Sequence, residues 1–283
     1  MTNLQVSFNN HSISISIPKE INSLVHQNIF SEVISDSHDD QVDFSVLHKS
    51  NIYHLFYQDQ EIYTTDNPHE LVYTLEWNIV DELIRMSTGV FQIHGATLNH
   101  RDKSYLFIGE PGSGKTSLAI LLSKLGMNLL SDEVSLVNWH NYNAYPFPRN
   151  LIIKQHLLDL ISIPAAQQPL LIEADDNQRE QAFFLPISHF ASNNQLSVNR
   201  VGKIFFLDPV NDIEFNIQLI GEHQAFNRMT PQVFNVGELQ NYHEKIIHLI
   251  MEIPTFTLKI GKPLLLSDMQ QQKLLDKILN EVN

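Results

Sequence analysis

The sequence predicts an α/β protein: a sheet flanked by helices, preceded by a small β-rich N-terminal region. Three observations predict it. Residues 12–17 read SISISI, strict alternation that suits a half-buried strand. Leu71, Leu75, Ile79, Leu83 and Met86 recur at spacings of three and four, one face of an amphipathic helix. From residue 91 onward, apolar strand-like runs alternate with a glycine turn and a helical pattern. At 43% hydrophobic residues, the 283-residue chain has enough apolar surface for a real core. The amphipathic helix is the joint, giving a region 1–88 and a second domain 89–283.

Within the first region, residues 42–47, 52–57 and 61–65 are further strands, and the acidic run 35–41 (SDSHDDQ) is a loop. Asp66, Asn67 and Pro68 supply a cap and a first-turn proline for the helix, which ends near Gly89. Residues 91–98 and 104–108 are strands, and residues 115–125 a helix stopped by Gly126. Residues 127–130 form a short strand that residues 134–137 continue. LIIKQHLLDLI begins as strand and turns to helix, and residues 165–181 are a polar loop. Residues 203–208 and 214–220 are strands, 238–252 a helix and 255–260 a strand. Residues 267–282 are a final helix, opened by Ser267 and Gln270 at capping-box spacing. The paired aromatics Phe183-Phe184 and Phe205-Phe206 belong to the core.

The formal charge of −14 argues against broad nucleic-acid binding, which needs a basic face. No apolar run reaches a membrane span, and MTNLQVSFNN is not a secretory signal. The absence of cysteine removes disulfides, thiolate metal sites and cysteine nucleophiles, and fits a reducing, cytoplasmic setting.

Residues 109–116 read GEPGSGKT, a full match to GxxxxGK[ST], the phosphate-binding P-loop pattern. Three of the chain's 10 glycines fall within six positions of it. A chance match in such a chain is on the order of one in a hundred or less. Gly109, Gly112 and Gly114 free the backbone of the turn from Glu110 and Pro111 through Ser113 to Ser117, so that its N–H groups, which Pro111 lacks, can turn inward on a triphosphate. The helix that follows aims its own N–H groups at the same charge. Lys115 neutralises the β and γ oxygens, and the Thr116 hydroxyl is a hard ligand for Mg²⁺.

Asp132 and Glu133 follow the first apolar stretch after that helix. In a right-handed β-α-β unit they share the C-terminal sheet edge with the glycine turn. Asp132 there can bind Mg²⁺, and either acid can accept a proton from an attacking hydroxyl. Without the glycine turn the pair would read as a solvated turn. His94, on the preceding strand, reads as a proton relay or γ-phosphate contact, but also as a hydrogen-bonded core or edge histidine, one of 14. Arg149, Lys154, Arg200 and Arg228 are cations able to neutralise a phosphoryl group, each first read as a surface charge.

HGATL, YLFIGEPGSGKTS, the helix ending at Gly126, and LLSDEVSLV together resemble the HPr kinase/phosphorylase family, more closely its relatives encoded beside bacterial peptide-modification genes. PFPRNLIIK resembles the segment that follows, so the likeness spans about residues 91–155. The resemblance implies the fold of the HPr kinase C-terminal domain and transfer of a phosphoryl group from ATP to a serine or similar hydroxyl. Lys115 and Thr116 would hold phosphate and Mg²⁺, one of Asp132 and Glu133 would be the base, and His94 would assist. It also implies homo-oligomeric assembly. The chain departs from the family at Glu133, usually aspartate, at Ser117, usually acidic, and in lacking a later signature like LEVRGLGI. These departures leave HPr as substrate and the phosphorylase reaction open, while the fold and the ATP chemistry depend on them less.

The expectation is an ATP- and Mg²⁺-dependent kinase. Its acceptor is a hydroxyl of a peptide, protein or small molecule, with no nucleic acid and no membrane as partner. The alternative is a nucleotide-binding regulatory module without transferase activity.

Overall fold

The SISISI run forms the second strand of an antiparallel hairpin, Thr2 facing Ile17 and Phe8 facing His11. Its isoleucines 13, 15 and 17 are fully buried, as the alternation requires. The computed structural model describes residues 1–8, 11–37, 41–147, 149–173, 179–190, 197–211, 214–234 and 241–280. In chain order, β1 (Thr2–Phe8), β2 (His11–Ile17), α1 (Asn22–Asn28), β3 (Ile34–Asp36), β4 (Phe44–Lys49), β5 (Ile52–Tyr57), β6 (Gln60–Thr65) and α2 (Pro68–Met86) come first. Next are β7 (Val90–His100), β8 (Lys103–Ile108), α3 (Lys115–Lys124), β9 (Asn128–Ser131), β10 (Val134–Asn138) and β11 (Asn143–Tyr145). Then follow β12 (Leu151–Lys154), β13 (Leu170–Glu173) and β14 (Arg179–Leu185). The chain closes with β15 (Asn199–Pro209), β16 (Phe215–Leu219), α4 (Glu222–Met229), α5 (Tyr242–Glu252), β17 (Thr255–Ile260) and α6 (Asp268–Leu279).

These elements make a mixed α/β protein of two units. One comprises Met1–Thr88 and Pro148–Pro186, the other Gly89–Phe147 and Ile187–Asn283. The sequence reading kept 89–283 in one piece. The structure groups β12 to β14 with the N-terminal strands, where β13 packs on α2 and β14 on α1, and Arg149 is buried against Glu76 of α2.

The first unit holds a six-stranded sheet, ordered β3-β1-β2-β4-β5-β6, and a three-stranded one, β12-β14-β13. Helix α2 starts where expected: the Asn67 side chain accepts from the His69 N–H at 3.0 Å, and Pro68 occupies the first turn. Leu71, Leu75, Ile79 and Leu83 are fully buried along its inner face.

The second unit is built on a sheet ordered β11-β10-β7-β8-β15-β17-β16. Strands β8, β15 and β17 are parallel, while β7 is antiparallel to β8, and β16 to β17. Leu106, Ile108, Ile204 and Phe206 face one side, in a core with Met229 of α4 and Ile246 and Leu249 of α5. Phe107 and Phe205, the alternate residues on those two strands, stack in a row with Phe256 of β17, centroids 5.2 and 5.3 Å apart. Lys203 ends α6 by donating to the Ile278 carbonyl at 2.8 Å.

Several elements differ from the sequence reading. The 165–181 segment contains β13 and the start of β14, and the helix after LIIK is a short 3-10 turn, Gln155–Leu160. Helices α1 and α4 had no apolar stripe to announce them: α4 buries only Ala225 and Met229. The expected helices began at 238 and ended at 282, and residues 238–240 and 281–282 lie outside the described residues, as do 38–40 and 174–178 of the expected loops. No helix among the described residues is long and apolar enough to cross a membrane.

Candidate functional site

The glycine turn runs from the end of β8 into α3, with Gly112 and Gly114 at φ +78° and +91°. Both conformations lie in the left-handed region that L side chains resist. Gly109 is needed for space instead. A Cβ there would lie 2.5 Å from Ser113 Oγ and 3.2 Å from Leu207 Cβ. Lys115, 5% exposed, folds over the turn, its Nζ donating to the Gly109 carbonyl at 2.8 Å and the Glu110 carbonyl at 3.3 Å. Burial pulls its pKa below the usual lysine range, and the carboxylates of Glu133, Asp132 and Glu110 oppose that shift.

Asp132 and Glu133 follow the end of β9 at Ser131 and lie between it and β10. Strand β9 runs antiparallel to β7, hence in the direction of β8, with β7 between them. Beyond the two acids, β10 resumes pairing along the same β7, Val134 opposite His94. The acids therefore interrupt one long strand. Glu133 takes φ +69°, Val134 N–H donates to the Asp132 carbonyl at 2.9 Å, and Gly95 N–H to the Glu133 carbonyl at 3.2 Å. Ser135 Oγ stitches the gap, donating to the Gly95 carbonyl at 2.9 Å. Gly95 also faces Ile108, the last residue before the glycine turn. One line across the sheet thus joins the turn, His94-Gly95 and the acidic pair.

Two side-chain contacts follow from that line. Thr116 Oγ donates to Asp132 Oδ2 at 2.8 Å. His94 Nε2 meets Glu133 Oε2 at 3.1 Å, with side chains 16% and 39% exposed. On the other side of the ring, His94 Nδ1 lies 3.2 Å from Gln232 Oε1, and Gln232 Nε2 donates to Glu110 Oε1 at 2.8 Å. Gln232 went unnoticed in the sequence. It sits in a 3-10 turn after α4, fixed because Val233 bridges Ile93 and Phe234 N–H donates to the Gln92 carbonyl at 2.7 Å. No motif marks it.

Of the four candidate cations, Arg228 shares this rim. It donates to Asp208 Oδ1 at 2.5 Å and lies over Phe206, 4.8 Å from the ring centroid. Asp208 is two residues past Phe206, the partner of Ile108. Arg200 instead faces Lys103, at the opposite end of β8, and pairs with Glu252. Arg149 and Lys154 belong to the first unit, paired with Glu76 and Glu180. Arg149 is buried, not the surface charge its sequence context suggested.

Among the described residues no group of three His, Asp or Glu side chains forms a metal cluster. Mg²⁺ does not require one, since it keeps waters and takes one or two protein oxygens beside phosphate. The hydroxyl of Thr116 and the carboxylate of Asp132, already in contact, are a donor set of that kind.

No protein-family model matches the chain, and no curated protein matches it. Among solved structures, the HPr(Ser) kinase/phosphatase from Coxiella burnetii aligns with 66% of this chain and 87% of its own, at 12% identity and a TM-score of 0.30.

Proposed function

We infer that the chain is an ATP- and Mg²⁺-dependent phosphotransferase acting on a hydroxyl of a peptide, protein or small molecule. The observation that carries this reading is the shared rim. A glycine turn with a buried lysine, a Thr116–Asp132 contact and a His94–Glu133 contact occupy one line across the sheet.

The nucleotide's phosphates would lie in the turn of residues 109–117, where backbone N–H groups, Lys115 and the start of α3 supply positive potential. Thr116 and Asp132 would hold Mg²⁺, which would supply charge neutralisation to the phosphates. Arg228 at the same rim adds a further positive charge. Asp132 is 5% exposed and engaged by Thr116, which leaves Glu133 as the carboxylate better presented to an acceptor. The acceptor oxygen bonds to the γ-phosphorus as the bond to the bridging oxygen breaks. ADP leaves, and the hydroxyl proton passes to Glu133, with His94 behind it.

The test is transfer of label from γ-labelled ATP to candidate peptides, proteins and hydroxylated metabolites. Lys115→Ala should abolish nucleotide binding. Asp132→Asn should lower transfer at least about a hundredfold while a well-folded protein still binds nucleotide. Tight nucleotide binding with no acceptor ever labelled would sink the transferase reading and leave a nucleotide-binding module.

A further inference from the structure

We propose that β16 is a docking edge for a second copy of this chain, the two β16 strands pairing antiparallel about Ile217 so that one sheet runs through both copies. Strand β16 ends the sheet of the second unit and is paired with β17 on one side only. Its register fixes which backbone groups are left over. Ile220 N–H donates to the Thr255 carbonyl at 3.0 Å and Gly261 N–H to the Glu214 carbonyl at 3.2 Å, so the even-numbered residues of this pairing are the ones that exchange hydrogen bonds with β17. The N–H and C=O groups of Phe215, Ile217 and Leu219 therefore point away from the sheet, and no backbone group among the described residues meets them.

An edge of this kind is a template for another strand unless something blunts it. The other terminal strands are blunted. Strands β3 and β11 have three residues each, and β11 is also paired with β15. Strand β6 carries Glu61, β12 Lys154 and β13 Glu173. Strand β16 reads FNIQL, with no charge and no proline. It is also complementary to itself. Turned about Ile217, Phe215 lies opposite the partner's Leu219, Asn216 opposite the partner's Gln218, and Ile217 opposite its own counterpart. Apolar meets apolar and amide meets amide at every pair. The outward backbone groups of each copy then satisfy those of the other, and Leu219, 58% exposed, gains an apolar neighbour. The formal charge of −14 on each copy opposes the approach, so added salt should tighten the dimer.

The chain has no cysteine, so introduced thiols can read the register. Asn216→Cys protein mixed with Gln218→Cys protein should form a disulfide-linked pair under mild oxidation. Either variant alone sets its two thiols on a diagonal about 7–8 Å apart and should stay largely unlinked. Sedimentation of the wild type should show a monomer–dimer equilibrium that moves toward dimer as salt is added. Asn216→Glu with Gln218→Glu sets carboxylates opposite each other and should weaken the dimer at least about tenfold. Asn216→Glu with Gln218→Lys sets each carboxylate opposite an ammonium and should restore it. Both positions are exposed, so both double variants should keep the wild-type melt. A wild type still monomeric at about 100 µM, a dimer that the paired glutamates leave intact, or crosslinking as strong in either cysteine variant alone overturns the proposal.

Discussion

Arg149 and Glu76 are each 1% exposed at the side chain, joined through Nε at 2.6 Å and a terminal nitrogen at 3.0 Å, with the guanidinium 4.4 Å from the Trp77 ring centroid. A buried pair of this kind is unforgiving when halved, because the surviving charge has lost both water and partner. Glu76→Leu should therefore cost about 3–5 kcal/mol in urea unfolding, whereas Glu76→Leu combined with Arg149→Met should return to within about 1 kcal/mol of wild type. If the double variant is as unstable as the single one, the pair itself stabilises. Nothing in YPFPRN disclosed this partner, because the acid lies 73 residues away and no spacing rule connects them. The glycine turn was legible for the opposite reason. Its residues are consecutive, so their chemistry is written locally. Gln232 lies between these cases, as its meaning depends on a histidine 138 positions distant.

Strand β7 organises the second unit. It borders β8 along Gly95 to His100 and carries both arms of the interrupted β9–β10 strand on its other edge. Gly95 sits where these pairings meet, and a Cβ there would come within 2.8 Å of the Phe107 carbonyl oxygen. Backbone cannot yield as a flexible side chain can. Gly95→Ala should destabilise the protein by about 1–3 kcal/mol by thermal or urea unfolding, and should depress transfer more than nucleotide affinity, since His94 is the neighbour displaced. Strands and helices with a clear period were readable from the chain: α2 begins and ends at its capping residues, and β5 spans Ile52–Tyr57. The period failed where a short element carries few apolar residues, as in α4, and where polar neighbours hid LLIE as loop.

The chain passes between its two units at three places, 88/89, 147/148 and 186/187. No change in composition marks the middle excursion; only its contacts with α1 and α2 do. A fragment of residues 89–283 should be prone to aggregate, since β13 and β14 lose α1 and α2, and the buried Phe184 loses Tyr73. Replacing residues 148–186 of that fragment with a short Gly/Ser linker should restore a cooperative melt. The junctions favour such closure: Phe147 N–H donates to the Leu130 carbonyl of β9, and the turn Ile187–His189 packs on the same strand. Circular dichroism and size exclusion of the two fragments decide it, and equal behaviour would refute it. Neither unit is a continuous stretch of chain, so no single cut of the polypeptide yields a piece that holds one unit entire and nothing of the other.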